Sequence, residues 1–137
     1  MYGNMILAQN VNADQNGNGF FINNPTNSFS VLSTPTLHNL ALLFNISGID
    51  PKQSHNLKLV LRSESIERIV LNENIPVQIN NFNSQDDDPN TVFSMNANIV
   101  LNSLQIDHLG RFDLILYVDD NEICSSPLVF TQAKALQ

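Results

Sequence analysis

Apolar side chains recur at every second position along most of this chain, and this alternation limits the possible folds more than any other feature. In the clearest stretch the apolar residues are Phe93, Met95, Ala97, Ile99 and Leu101, and serine or asparagine fills most positions between them. A period of two places successive side chains on opposite faces of a β-strand, whereas a helix needs a period near 3.6. The sequence therefore predicts an all-β fold without a long helix.

Turn-forming Gly, Pro, Asn and Asp divide the alternating pattern into eight or nine segments. The predicted strands cover residues 4–11, 19–23, 37–46, 56–62, 66–71, 75–80, 93–102 and 112–118, with a last strand after the turn at 119–121. Residues 24–36 contain two prolines, and we expect a loop or an irregular edge there with Phe29 and Val31 tucked in. Two polar loops, "NADQNGNG" and "NNFNSQDDDPN", separate strands.

Strands with one apolar face require a second layer, and without helices that layer is another sheet. We therefore predict a two-layer antiparallel β-sandwich with immunoglobulin-like or related Greek-key topology, and keep a closed barrel as the alternative. A chain of 137 residues has the length of one domain, and no linker divides it. Residues 1–137 are accordingly predicted to form a single domain.

The last segment, "GRFDLILYVDDNEICSSPLVF", predicts a closing hairpin. A three-residue turn from Asp119 to Asn121, with Asn121 in the left-handed conformation, places Leu116 opposite Cys124 and keeps apolar residues together. In the same register Phe112 faces Leu128, whereas a two-residue turn would place Leu116 opposite Ser125. Pro127 cannot donate a ladder hydrogen bond, so the last strand should lie at an edge or be bulged there.

Several blocks of this sequence resemble a family of small bacterial proteins of unknown function. The blocks are "MILAQNV", "GFFI", "LHNLALLFNISG", "HNLKLVLR" and the closing hairpin, in which the family pattern corresponds to Gly110, Arg111, Phe112, Leu116, Tyr117, Asp119, Asp120 and Pro127. The insert "NSQDDDPN" and the Asp-Asn turn depart from that pattern. The resemblance implies a single-domain β-sandwich in a bacterial cytoplasm, and it carries over no catalytic residue.

The charge of the chain opposes two classes of partner. Its net charge is −7 and its six Lys and Arg residues are scattered, whereas nucleic acid and anionic membranes attract clustered positive charge. No apolar run has the length of a membrane span, and the stretch "MYGNMILAQNVNADQ" lacks the basic and long apolar regions of a signal peptide, so we do not expect export by a conventional signal. A single cysteine, Cys124, fits a reducing compartment. We expect a cytoplasmic protein that binds neither nucleic acid nor membrane.

No arrangement of reactive residues predicts an enzyme. His38 and His55 flank one predicted strand and His108 lies in a turn, so we interpret all three as surface or turn histidines without a shared metal. Cys124 has no nearby base in the sequence, which favours a buried thiol over a nucleophile. No cofactor is expected.

One arrangement of carboxylates predicts a binding site. If the strands at 93–102 and 112–118 are antiparallel neighbours, the loops at 86–90 and 119–122 meet at one end of the sandwich. Calcium takes six to eight oxygen ligands, which these loops offer through Asp86, Asp87, Asp88, Asp119, Asp120 and Glu122. The simpler interpretation is that these residues form turns and solubilise the end of the fold.

Apolar residues also occur at positions predicted to face outward, namely Leu37, Leu43, Val60, Ile115 and Tyr117. Apolar surface of this kind is typical of protein interfaces. We predict a non-enzymatic protein-interaction or structural module that binds a protein partner or itself as a homodimer, with Ile115, Tyr117, Leu43 and Val60 as interface residues. The alternatives are a calcium- or carbohydrate-binding module at the two acidic loops, and a component of a phage or secretion-type assembly.

Overall fold

The computed structural model describes residues 1–13, 19–76 and 93–134, which form nine strands. The strands are β1 (Tyr2–Ala13), β2 (Phe20–Pro25), β3 (Ser28–Val31), β4 (Thr36–Ser47), β5 (Ser54–Arg62), β6 (Glu67–Pro76), β7 (Ser94–Ile106), β8 (Gly110–Val118) and β9 (Asn121–Gln132). These ranges contain no helix, and hence none that is long and apolar enough to cross a membrane.

The strands form two sheets, which confirms the predicted all-β sandwich. A four-stranded sheet has the order β2-β1-β4-β7, and a five-stranded sheet has the order β3-β9-β8-β5-β6. All neighbouring strands are antiparallel except β3 and β9, which are parallel. The finer prediction of an immunoglobulin-like or Greek-key topology stays a prediction.

The core lies between the inner faces of the two sheets. The alternating residues of β4 that were predicted to share a face, such as Leu42 and Ile46, are fully buried, as are Leu59 in β5 and Leu116 in β8. Full burial of such a side chain stabilises the fold by roughly 1.5–3 kcal/mol. The buried rings of Phe112 and Phe130 pack edge to face in this core, with ring centroids 5.8 Å apart. The period-two pattern therefore identified the core correctly.

Of the two alternatives for residues 24–36, the structure favours the edge, because residues 28–31 form β3 at the outer side of the five-stranded sheet. Phe29 pairs with Phe130 of β9 in parallel register, and Phe29 and Val31 are buried, as expected. β3 has only four residues and its partner lies about a hundred residues further along the chain. A local pattern cannot reveal such a pairing.

The predicted strands at 66–71 and 75–80 are one continuous strand over the described residues. β6 passes through the polar stretch Asn72, Glu73 and Asn74 because this stretch pairs with β5. The side-chain amide of Asn56 donates to Oδ1 of Asn72 at 2.8 Å and to Oδ1 of Asn74 at 3.2 Å. Residues 77–80 lie outside the described residues, as do residues 14–18 and 81–92, on which the predicted turn and polar loop fall.

The predicted turn of the closing hairpin is wrong, but its register is correct. Asp119 and Asp120 have φ of 51° and 64°, and Val118 pairs with Asn121, so two residues rather than three make the turn. Positive φ at both central residues is the requirement of a type I′ turn. A bulge at Ile123 then restores the pairing of Leu116 with Cys124 and of Phe112 with Leu128.

Pro127 lies where it removes no ladder bond, although β9 is not an edge strand along its whole length. The N–H of Val129 donates to the carbonyl of Asn27, which precedes β3, at 2.8 Å. Residues two apart in a strand direct their N–H groups to the same side, so the nitrogen of Pro127 faces the β3 side. β3 pairs with β9 only from Val129 onward, and the edge prediction therefore holds for the half of β9 that contains Pro127.

Candidate functional site

The acidic turn at 119–122 is tied into the fold by Asp119. The carboxylate of Asp119 lies 2.6 Å from Nδ1 of His55 and accepts a hydrogen bond of 2.9 Å from the backbone N–H of Asn56. The backbone N–H of Asp119 in turn donates to the carbonyl of Asn56 at 2.9 Å. Residue 119 thus attaches the tip of the β8–β9 hairpin to the start of β5.

His55 is buried, with 5% of its surface exposed, so the prediction of a surface histidine is wrong. Nε2 of His55 lies 2.8 Å from the carbonyl oxygen of Asp50, and Nδ1 faces a carboxylate. Neither oxygen can donate, so both ring nitrogens must carry hydrogen to satisfy both contacts. Burial opposes the charged ring, but the bonds to Asp119 and Asp50 outweigh it and raise the pKa of His55. The hydrogen bond with His55, together with the one from the Asn56 N–H, lowers the pKa of Asp119.

His38 is half-buried rather than at the surface. Its ring meets Phe29 and Phe130 edge-on, with centroid distances of 5.3 and 5.5 Å, and burial lowers its pKa. Cys124 packs against the core as expected for an unreactive thiol, and burial, with repulsion from Glu122, raises its pKa to about 11.

The strands at 93–102 and 112–118 are not antiparallel neighbours as expected, because β7 and β8 lie in different sheets. The predicted calcium ligands are only partly described. Asp120 lies 3.5 Å from Nζ of Lys58, Glu122 is exposed, and Asp119 is held by His55. The second loop, residues 86–90 with Asp86, Asp87 and Asp88, lies outside the described residues. Within the described ranges no three His, Cys, Asp or Glu side chains are grouped to hold a metal ion. A calcium or carbohydrate site therefore stays a prediction.

The four predicted interface residues lie on different sheets. Leu43 is half-buried in β4 of the four-stranded sheet, whereas Val60, Ile115 and Tyr117 lie in the five-stranded sheet. Val60 and Ile115 are only 4% and 2% exposed. They nevertheless face outward, because the residues on either side of them in β5 and β8 face the core. Leu37, also in β4, is 64% exposed. The four residues do not form one continuous surface.

Long polar side chains surround Val60 and Ile115. Nζ of Lys58 lies 4.9 Å from the centre of the Tyr117 ring. Arg62 donates to the Tyr117 hydroxyl at 3.4 Å and pairs with Glu67 at 3.0 Å. The aliphatic stems of such side chains cover apolar surface while their charged ends stay in water.

An open polar pocket of about 750 Å³ lies where the β5–β6 loop meets the β7–β8 turn. Nδ1 of His108 faces the carbonyl of Leu109 at 2.8 Å, so Nδ1 carries a proton, and in the neutral ring Nε2 is the acceptor. The hydroxyls of Ser63 and Ser65 lie 3.0 and 3.2 Å from Nε2. The His108 ring stacks on buried Phe112, with a centroid distance of 4.6 Å.

Ser63 serves the turn as well as His108. Its hydroxyl oxygen accepts the backbone N–H groups of Ser65 at 3.3 Å and Ile66 at 3.2 Å. Both lone pairs of the Ser63 oxygen are therefore used to cap the turn. This structural role accounts for the position of Ser63 beside His108 without a catalytic function. Sequence reasoning missed the contact because Ser63 and His108 are 45 residues apart.

A second opening lies between β6 and β7, the edge strands of the two sheets. Arg68 links the two strands by donating to the carboxylate of Asp107 at 3.0 Å and to the carbonyl of Gln105. Beyond this link a groove of about 400 Å³ is lined mainly by apolar residues, among them Ile69, Leu71, Val100, Leu101 and Leu104. Met95, Ala97 and Ile99, on the inner face of β7, are only half-buried. The described residues therefore cover the core incompletely along this side.

Among the four outermost strands of the two sheets, β7 is the least protected by the residues that the structure describes. Natural edges avoid pairing with other chains through charge, proline or short length. β2 has six residues and ends at Pro25, β3 has four residues, and β6 contains Glu67, Arg68, Glu73 and Pro76. β7 has 13 residues without a charge or a proline, and its only irregularity is a register shift near Ser103.

The backbone pairing shows which groups of β7 face the open edge. The carbonyl of Phe93 accepts a hydrogen bond of 2.8 Å from Gly48, so residue 93 and the odd-numbered residues up to Leu101, where the register shifts, direct their polar groups toward β4. The even-numbered residues direct theirs away from β4: Ser94, Asn96, Asn98, Val100 and Asn102. Among the described strands only β4 pairs with β7. We define these five residues as the β7 edge.

Comparison with known proteins identifies one family model. It is described as a family of unknown function, DUF6941, and it matches residues 4–131. No curated protein and no solved structure matches the chain.

Proposed function

The chain belongs to DUF6941, a family of unknown function, and from the geometry of the described residues we propose that it is a non-enzymatic protein-interaction module that accepts a β-strand at the β7 edge. The observation that carries this proposal is the contrast between the edges. β7 has 13 residues without a charge or a proline, while each other edge is short, charged or closed by proline. An unprotected edge of this length is a template for an incoming strand.

The side chains around the β7 edge favour the same mode of binding. Even-numbered residues supply backbone donors and acceptors, and each bond to an incoming strand contributes a net free energy of about 1 kcal/mol. The half-buried side chains of Met95, Ala97 and Ile99 lose further contact with water when a strand covers the groove. Apolar burial of this kind offsets the entropy lost on association.

The polar pocket favours a structural role over an enzymatic one. Ser63 is occupied as a turn cap, and the Nδ1 proton of His108 is held by the Leu109 carbonyl. Both residues have a sufficient structural explanation at the junction of two turns. A cytoplasmic location, a bacterial source and membership of a phage or secretion-type assembly stay predictions.

Amide exchange and peptide selection test the proposal together. Residue-resolved exchange of dilute protein should show fast exchange at Asn96, Asn98 and Val100 and protection at Ala97 and Ile99. Ten-residue displayed peptides selected on the wild-type protein should lose binding to Asn98→Pro, because proline removes an edge donor without breaking a β4 bond. The matched control Asn10→Lys, in β1 of the same sheet, should keep binding.

Protection of the even-numbered amides in the dilute protein would show that the β7 edge is already occupied, and the proposal would fail. Selected peptides that bind Asn98→Pro as well as the wild type would also overturn it. Circular dichroism melts of both variants establish that a loss of binding is not a loss of folding.

A further inference from the structure

The geometry points to a specific occupant: we propose that β7 of a second copy of this chain pairs with β7, antiparallel, about a two-fold axis through Asn98. This inference rests on the proposed strand addition and names its partner. Closed two-fold pairing is the commonest form of self-association, and it requires a surface that complements itself. The β7 edge meets that requirement in its backbone, its side chains and its charge.

Backbone geometry selects the register. Edge-facing donors and acceptors belong to even-numbered residues, so an axis must place even residues opposite even residues. An axis at Asn98 pairs Ser94 with Asn102 and Asn96 with Val100 of the second copy, which uses the whole β7 edge. An axis at Asn96 would extend the pairing beyond the described residues, and one at Val100 would run into the positive φ of Ser103. Asn98 therefore gives the longest regular pairing within the described strand.

The side chains complement one another in this register. On the exposed face, Asn98 meets Asn98 and Ser94 meets Asn102, while Asn96 lies opposite Val100. An amide both donates and accepts, so asparagine can bond to asparagine across a two-fold axis. An amide pair of this kind already joins β4 to β7, where Asn45 donates to Asn96 at 2.6 Å. On the inner face Met95 lies opposite Leu101 and Ala97 opposite Ile99. The half-buried side chains of one copy would cover those of the other.

Charge does not oppose this pairing in spite of the net charge of −7 on each copy. Neither β7 nor the adjacent β4 contains an Asp, Glu, Lys or Arg residue. Carboxylates elsewhere on the molecule are screened at physiological salt beyond about 8 Å. A partner of opposite charge would have nothing to recognise on this edge, which favours a second copy over a basic protein. Pairing would join the two four-stranded sheets into one continuous sheet.

A charge-exchange experiment tests both the partner and the register. Asn98→Lys places two ammonium groups opposite each other at the axis, and Asn98→Asp places two carboxylates there. We expect the wild type to sediment as a dimer at high concentration and each variant alone to show a dimer dissociation constant at least about tenfold larger. An equimolar mixture of the two variants should recover the dimer, seen as a heterodimer by native mass spectrometry.

The Asn10→Lys variant is the control for added charge and should dimerise like the wild type. If Asn98→Lys does not fold, Val100→Lys tests the same edge at a residue that is 48% exposed. A wild type that remains monomeric at about 1 mM while selected peptides still bind β7 would overturn self-pairing and leave strand addition intact. A dimer unaffected by either Asn98 variant, or a mixture without recovery, would overturn the proposed axis.

Discussion

Replacing Asp119 by asparagine removes the charge that faces His55 and leaves the turn chemistry in place. Asn tolerates positive φ as well as Asp does, so the φ of 51° at this position is not a source of strain in the variant. The amide oxygen can still accept the N–H of Asn56. The difference between wild type and Asp119→Asn therefore reports the interaction between the carboxylate and the buried imidazolium.

The size of that interaction follows from its geometry. A hydrogen bond to a charged group contributes about 1.5–3 kcal/mol when it is well shielded from water, and an exposed ion pair contributes about 0–1 kcal/mol. His55 is 5% exposed but Asp119 is 40% exposed, which places this pair between the two limits. We expect Asp119→Asn to lower the free energy of unfolding by about 1–2 kcal/mol and the melting temperature by about 3–8 °C.

The loss should depend on pH in a defined direction. Because the pKa of His55 is raised, its stabilisation is complete below the ordinary value of 6.5 and is lost as pH rises through the folded pKa. Because the pKa of Asp119 is lowered, its stabilisation is present above 3.8 and is lost as pH falls through the folded pKa. The difference between wild type and variant should be largest at about pH 5–6 and should shrink on either side.

Urea denaturation between pH 4 and 9, together with NMR titration of the His55 ring, measures both effects. The exposed Asp120, with φ of 64°, provides the matched control Asp120→Asn, which should change stability by less than about 0.5 kcal/mol. The reasoning would be refuted if the two variants lost equal stability, or if the His55 titration were unchanged by Asp119→Asn.

Three further substitutions or reactions test other parts of the fold. Phe112→Ala should lower the free energy of unfolding by about 3–5 kcal/mol, measured by urea denaturation, because the ring is fully buried; a loss below about 1 kcal/mol would contradict this packing. Gly3→Ala should cost about 1–3 kcal/mol in the same assay, because the added Cβ would overlap the carbonyl oxygen of Asn45; an unchanged melt would argue against this close approach of β1 and β4. Burial raises the pKa of the Cys124 thiol to about 11, so less of it is thiolate at pH 8. It should react with Ellman's reagent about a hundredfold more slowly in the folded than in the urea-unfolded protein. Equal rates would contradict its burial.

Properties that repeat along one segment could be predicted from the sequence. The inward positions of β4 and the pairing of Leu116 with Cys124 follow from side-chain alternation, because a strand in the wrong register would expose its apolar face. The turn that produces this pairing did not follow from it. A three-residue turn and a two-residue turn with a bulge give the same offset, and the alternation of the strands cannot distinguish them.

Properties that depend on distant segments could not be predicted. His55 and Asp119 are 64 residues apart, and neither has a local signature that distinguishes a buried ion pair from two surface residues. The same holds for the β7 edge: its lack of charge is visible in the sequence, but only the strand order shows that this uncharged strand lies at an edge. Val60 and Ile115 were predicted to be exposed because they face outward. The sequence does not show which neighbouring side chains cover them.

The parallel pairing of β3 with β9 has a consequence for synthesis on the ribosome. The hydroxyls of Ser30 and Thr131 lie 3.5 Å apart across 101 residues of chain, and β8 and β9 occupy the middle of the five-stranded sheet. A growing chain can form the β1–β2 hairpin early, but its second sheet is completed only after β9 has been translated, about a hundred residues after β3. Folding dominated by such distant pairings is slow. During that interval the inner faces of β4 and β5 remain open to solvent, and exposed apolar strands of this kind favour aggregation of a nascent chain.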